Sequence, residues 1–177
     1  IAHKNIRKNL GDENGLQHIE FFKKILKLPG LDEVKIALPH IIYEEKMELV
    51  VGGVRFQLMN LGRGHTDGDT AVFLQELKTL IVGGLVSNKK IPYLGDAYID
   101  DWIDFLAKLD DLNAEIIIPG SGEPGGKPLL MQMKHYLMIL RNNVEMQVAL
   151  KKTLKETKEA VRPILLERFQ DWERQEL

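Results

Sequence analysis

The 177 residues contain no cysteine, which excludes a disulfide framework, a thiolate zinc site and a cysteine nucleophile while leaving the redox compartment open. Long apolar runs are also missing. Stretches such as Leu80–Val82 and Ile116–Ile118 fall far short of the roughly 18 residues of a spanning helix, so no membrane role is expected. There is no excess of either charge: 24 Lys and Arg against 26 Asp and Glu give a net of −2, which offers no electrostatic reason to approach nucleic acid. What is present is an apolar fraction of 44%, enough for a real core and too much for a disordered chain. One compact domain is expected. The first residue is Ile1 rather than Met, so the sequence reads as a fragment and the lack of a signal peptide carries little weight. A cytoplasmic location is the expectation, with secretion left open.

Residues 1–28 have helical spacing, with Ile6 and Leu10, then Leu16, Ile19, Phe22, Ile25 and Leu26 about one turn apart. This predicts two helices ending before Pro29-Gly30. Short β-type runs follow at Ile41–Tyr43, Met47–Val51, Val54–Met59, Ala71–Leu74 and Leu80–Val82. The Gly52-Gly53 pair between two of them signals a hairpin in an antiparallel meander. Residues 99–112 return to helical spacing through Ile99, Trp102, Ile103, Leu106 and Leu109, with Asp100, Asp101 and Asp104 near the start, where the helix dipole favours carboxylates. Ile116–Ile118, closed by Pro119-Gly120, predicts a strand buried on both faces. Beyond Gly126 two stripes, Leu129 to Val148 and Leu154 to Trp172, predict helices, the last kinked or restarted by Pro163. The stripes carry Met131, Met133, Met138 and Met146, as core or as an adaptable partner face.

Gly64-His65-Thr66-Asp67-Gly68-Asp69-Thr70 is the segment richest in chemistry. A histidine between glycines on a tight turn is presented with its backbone fixed, as a metal ligand requires. The alternative is a turn built from Gly and Asp for conformational reasons, with His65 solvated. Asp67 and Asp69 have the same two readings, cation ligands or turn formers. The Asp96, Asp100, Asp101 and Asp104 group is a cation site or helix N-terminal charge. Lys89-Lys90 steers an anion or belongs to a solvated loop. Ser121-Gly122 is not a G-x-S-x-G elbow, and His3, His18, His40 and His135 lack ligand spacing. No catalytic residue is assigned.

The GHT turn, the strand pair after it, Gly83-Gly84, the helix carrying Trp102 and the Ile116–Gly122 stretch IIIPGSG resemble, in order and spacing, the second half of the metallo-β-lactamase-fold hydrolases. The resemblance spans about Leu38 to Lys127. It implies an α/β fold, the second half of an αββα sandwich, over residues 1–127, with residues 128–177 as a C-terminal helical extension. It also implies a metal-dependent hydrolase of a small molecule, with ligands from an upstream HxHxDH cluster, the GHT histidine, a Gly-Asp aspartate and a Pro-Gly-His histidine. Of these His65 matches; Gly84 stands in place of the bridging aspartate, Ser121 in place of the last histidine, and these 177 residues contain no HxHxDH. A second metal site should be empty.

The expectation is therefore one zinc at most in a complete protein and none from this chain alone. The other function class is a metal-free binding or assembly module that keeps the fold. Half a sandwich leaves its sheet open on one face, so either an N-terminal half is present in the biological molecule or a second copy covers the face by dimerisation or domain swapping. Positive φ at Gly84 is also anticipated, a further obstacle to any side chain there.

Overall fold

Two glycines with positive φ, Gly52 at 59° and Gly53 at 80°, reverse the chain between β3 (Lys46–Val51) and β4 (Val54–Met59), as a two-residue hairpin turn requires. The structure, a computed structural model, describes residues 1–11, 13–27 and 30–173. The meander continues antiparallel through β5 (Ala71–Leu74) and β6 (Thr79–Ser87), and β7 (Ile116–Ser121) then adds parallel to β6, giving the order β3-β4-β5-β6-β7. A crossover helix, α3 (Ile99–Asp110), makes that parallel return. Before the sheet lie β1 (Ala2–His3), α1 (Lys4–Gly11), α2 (Glu13–Leu26) and β2 (Ile42–Tyr43), with β1 pairing parallel to β2. Residues 1–28 are thus not helical throughout, and Pro29 lies outside the described residues.

One sheet face is the core face. Met59, Ala71, Phe73, Leu80, Val82 and Ile117 pack there against Trp102, Phe105, Leu106 and Leu109 of α3 and against Leu130, Met133 and Leu137 of α4 (Pro128–Ala149). Paired residues in a sheet share a face, so the register places Met47, Leu58, Val72, Ile81 and Ile118 on the other side. That side is apolar too, yet of these five only Leu58 is buried. This is the open face expected of half a sandwich.

Three expectations about burial change. Ile117 points to the core face and is buried, while Ile116, on the same side as Ile118, is 47% exposed; a continuous apolar run does not reveal that one of the two faces lies open. The α2 stripe is not core either, since Leu16, Phe22, Ile25 and Leu26 are exposed. Among the four tail methionines Met133 alone is buried, so they do not form one face. No helix among the described residues is long and apolar enough to cross a membrane.

The C-terminal helical region continues in α5 (Leu154–Arg168), which runs unbroken through Pro163. Pro163 therefore does not restart the helix. Val161, Phe169 and Trp172 are buried, but Leu154, at the head of the predicted stripe, is exposed. The helix starts with a capping box: Glu156 N–H donates to Thr153 Oγ1, and Thr153 N–H donates to Glu156 Oε2 at 2.8 Å. The Thr153 amide and hydroxyl, followed by Lys152, hold the Glu156 carboxyl down at about 2. Its folded value lies below its unfolded one, so the contribution is fully present above the ordinary glutamate range and is lost as pH falls toward 2. Thr153→Ala is expected to cost about 1 kcal/mol at neutral pH. Urea melts at pH 7 and pH 2.5 check this: the difference from wild type should shrink at the lower pH.

Candidate active-site remnant

β6 and β7 are parallel and end side by side, while β5 runs the other way beside β6. The loop leading into β5, which carries Gly64–Thr70, therefore sits at the C-terminal ends of β6 and β7. Ligand sites of open α/β sheets gather at such strand ends. The turn holds itself together from within. Thr66 donates to Asp69 through its N–H at 2.9 Å and its hydroxyl at 2.8 Å, and Gly64 N–H donates to Thr66 O at 2.8 Å. Burial pushes the Asp69 carboxyl up, against the pull of those two Thr66 hydrogen bonds. Asp67 is engaged outward by α1, with Asn9 Nδ2 donating to its carboxylate and Asn5 Nδ2 to its carbonyl, each at 2.8 Å. Both aspartates are thus committed to the turn and its neighbours, which favours the turn-former reading over cation ligands.

His65 is fixed by what lies on either side of it. Its ring meets Trp102 edge to face, with centroids 5.5 Å apart at 74°. Trp102 is itself fully buried, and its Nε1 donates to Leu85 O at 3.0 Å. The second neighbour is Gly84: a Cβ placed there would lie 2.8 Å from His65 Nδ1, closer than real Cβ atoms come. The imidazole thus fills the space a side chain at position 84 would take. Gly84 does not have positive φ; Gly83 does, at 51°, so the obstacle at position 84 is contact and not backbone strain. Gly120 lies against the Gly83–Gly84 backbone. Ser121 pairs with Ser87, three residues beyond Gly84, and accepts from Asn88 N–H at 2.9 Å. The structure therefore brings His65 and Gly84 into contact and sets Ser121 on the adjoining strand end.

The remaining candidates disperse. Asp100 pairs with Arg141 at 2.9 Å and Asp101 with Arg63 at 2.5 Å, whose guanidinium also covers the Tyr98 ring. Lys89 and Lys90 pair with Asp171 and Glu173, tying their loop to the C-terminal segment instead of facing an anion. His3 is buried against Tyr43, and desolvation holds its imidazole below the usual range. Among the described residues no three His, Asp or Glu side chains gather as a metal site. The donor set in this chain, one imidazole beside a glycine, does not fit a catalytic metal.

Sequence reasoning missed the support of His65 by Trp102 and the contacts of α1 with the turn. Gly68 hints at the latter, since Ile6 Cδ1 comes within 2.5 Å of where its Cβ would be. Thr66 and Asp67 also line a cleft of about 730 Å³ together with Asn9, His18, Asp96 and Tyr98.

No family model matches the chain. It is 30% identical over 100 residues to the metallo-beta-lactamase type 2 of Bacillus cereus and 30% identical over 98 residues to that of Bacillus sp. (strain 170). Each match covers 52% of this chain and 37% of the relative, so the chain spans little more than a third of the length of these relatives. Among solved structures, the metallo-beta-lactamase from Pontibacter korlensis superposes with a TM-score of 0.55 at 20% identity, over 72% of this chain and 78% of that one. The aligned sequence and the shared α/β architecture support a relationship of the chain to the metallo-β-lactamase-fold superfamily, whose fold it shares.

Proposed function

We propose that this chain is the His65-bearing part of a metallo-β-lactamase-fold hydrolase acting on a small molecule, a protein whose hydrolytic water is activated by one zinc. The fold supports the hydrolase class. The observation that carries the finer reading is the placement of His65, locked edge-on to Trp102 with Nδ1 toward Gly84 at the C-terminal end of the parallel strands. One histidine cannot hold a catalytic metal, so the reading requires ligands that these 177 residues lack; an HxHxDH cluster has the required number. Gly84 and Ser121 supply neither a bridging carboxylate nor a closing imidazole, which limits the centre to one metal.

The test is metal analysis after dialysis. A protein carrying an HxHxDH segment ahead of this chain is expected to retain about one zinc, and its His65→Ala variant close to none. Zinc retained at full level by the variant would remove His65 from the ligand set. A wild-type protein without zinc would make the fold a metal-free binding module.

A further inference from the structure

Helices α4 and α5 and the 91–94 segment line an open pocket of about 650 Å³, within the range of about 300–1,000 Å³ usual for small-molecule sites. It is separate from the His65 turn, shares no residue with it, and rests on no part of the metal reading. Its walls are mostly hydrocarbon: Leu140 and Val144 from α4, Val161 and Leu165 from α5, with Ile91 and Leu94.

Two hydroxyls are set into those walls, and two exposed cations border them. Tyr136 is 2% exposed and Thr157 8%, and neither side-chain hydroxyl has a protein hydrogen-bond partner among the described residues. No enclosed side-chain polar atom is left unpaired there, so both hydroxyls open on the cavity they line. The Tyr136 ring is clamped by stacking on Trp172, with centroids 5.3 Å apart, and by the edge of Phe169 at 5.1 Å. Burial pushes its hydroxyl up to about 12, which keeps it a proton donor. Lys158 and Arg162, one turn apart on the same wall, have no carboxylate within 4.0 Å among the described residues. Like charges at this spacing repel, and an anion between them relieves the repulsion.

Hydroxyl donors and unpaired cations call for an acidic headgroup, and the hydrocarbon walls call for an aliphatic chain. We infer that this cavity binds one molecule of a free single-chain aliphatic carboxylate, its chain between α4 and α5 and its carboxylate at Lys158 and Arg162. An apolar helix of a partner protein would bury the same hydrocarbon but cover the Tyr136 and Thr157 hydroxyls without giving them a partner.

The experiment is calorimetric titration of the full chain with octanoate, decanoate and dodecanoate below their micelle concentrations, and with 1-decanol. Expected are one site per chain and a gain of about tenfold in affinity for every two carbons added. Lys158→Gln with Arg162→Gln, both exposed positions, should weaken decanoate about tenfold and leave 1-decanol unchanged. Decanoate binding equally well to the double variant, or no tighter than 1-decanol, would overturn the assignment of the headgroup. The absence of binding by every chain length, or uptake of many molecules per chain, would overturn the site.

Discussion

Trp102→Ala is expected to destabilise the chain by about 4 kcal/mol, near the middle of the range for removing a large buried aromatic. Trp102 is fully buried among Phe105, Leu106 and Leu85. Its loss opens a cavity that the neighbouring α3 and β6 side chains cannot close. The Leu85 carbonyl also loses the indole N–H that donates to it at 3.0 Å, and an acceptor left unpaired in the interior adds its own penalty. Trp102→Phe keeps an aromatic face and removes only the donor and part of the volume, so about 1–2 kcal/mol is expected. Urea unfolding measures both. The same pair tests the support of His65: the ring-current shifts of the His65 ring protons that come from residue 102 should persist in part in the Phe variant and vanish in the Ala variant. A Trp102→Ala protein within 1 kcal/mol of wild type would mean that this residue does not fasten the turn to the core.

That coupling lies at the limit of what the residue pattern reveals. The Gly52-Gly53 hairpin, the amphipathic helix with Trp102 and the GHT turn all register locally, because turn chemistry and a period of 3.6 residues are properties of short stretches. β6 does not. Gly83-Gly84 reads as the end of a strand, yet positive φ at Gly83 bends the chain, the register with β7 shifts there, and the strand continues to Ser87. Ile116–Ile118 shows its hydrophobicity but not its place at the sheet edge. The α2 stripe shows amphipathicity without showing what, if anything, covers it. At the site, composition could place His65 on a tight turn, and the order of motifs could align Gly84 and Ser121 with ligand positions. The contact between His65 and Gly84 exists because the β5–β6 hairpin folds residues 19 positions apart onto each other, and no local pattern carries that. The acidic and basic clusters failed as sites for the same reason: Arg63, Arg141, Asp171 and Glu173 lie far along the chain from the charges they pair with.

Gly84→Asp together with Ser121→His, in a protein that also carries an HxHxDH segment, is expected to raise zinc from about one to about two per chain, because the pair restores the carboxylate and imidazole that a second centre needs. Either change alone should leave the count unchanged, since a second site lacking its bridge or its histidine is under-coordinated. The structure adds a cost that the motif order did not show. Any Cβ at position 84 lies 2.8 Å from His65 Nδ1 and 3.2 Å from two ring carbons, so the imidazole must move before an aspartate can enter. The backbone at Gly84 raises no objection, because the positive φ belongs to Gly83. Gly84→Ala isolates the displacement: it should cost about 1–3 kcal/mol by overpacking and shift the His65 ring resonances without adding a ligand. In the double variant, two zinc ligated with the displaced His65 should recover part of that loss, since a metal bound only by the native state stabilises it. The melting midpoint should therefore rise with added zinc more steeply than in Gly84→Ala. A folded double variant that takes up no second zinc would show that positions 84 and 121 do not face one centre. A wild-type protein already holding two would show that the ligands lie elsewhere.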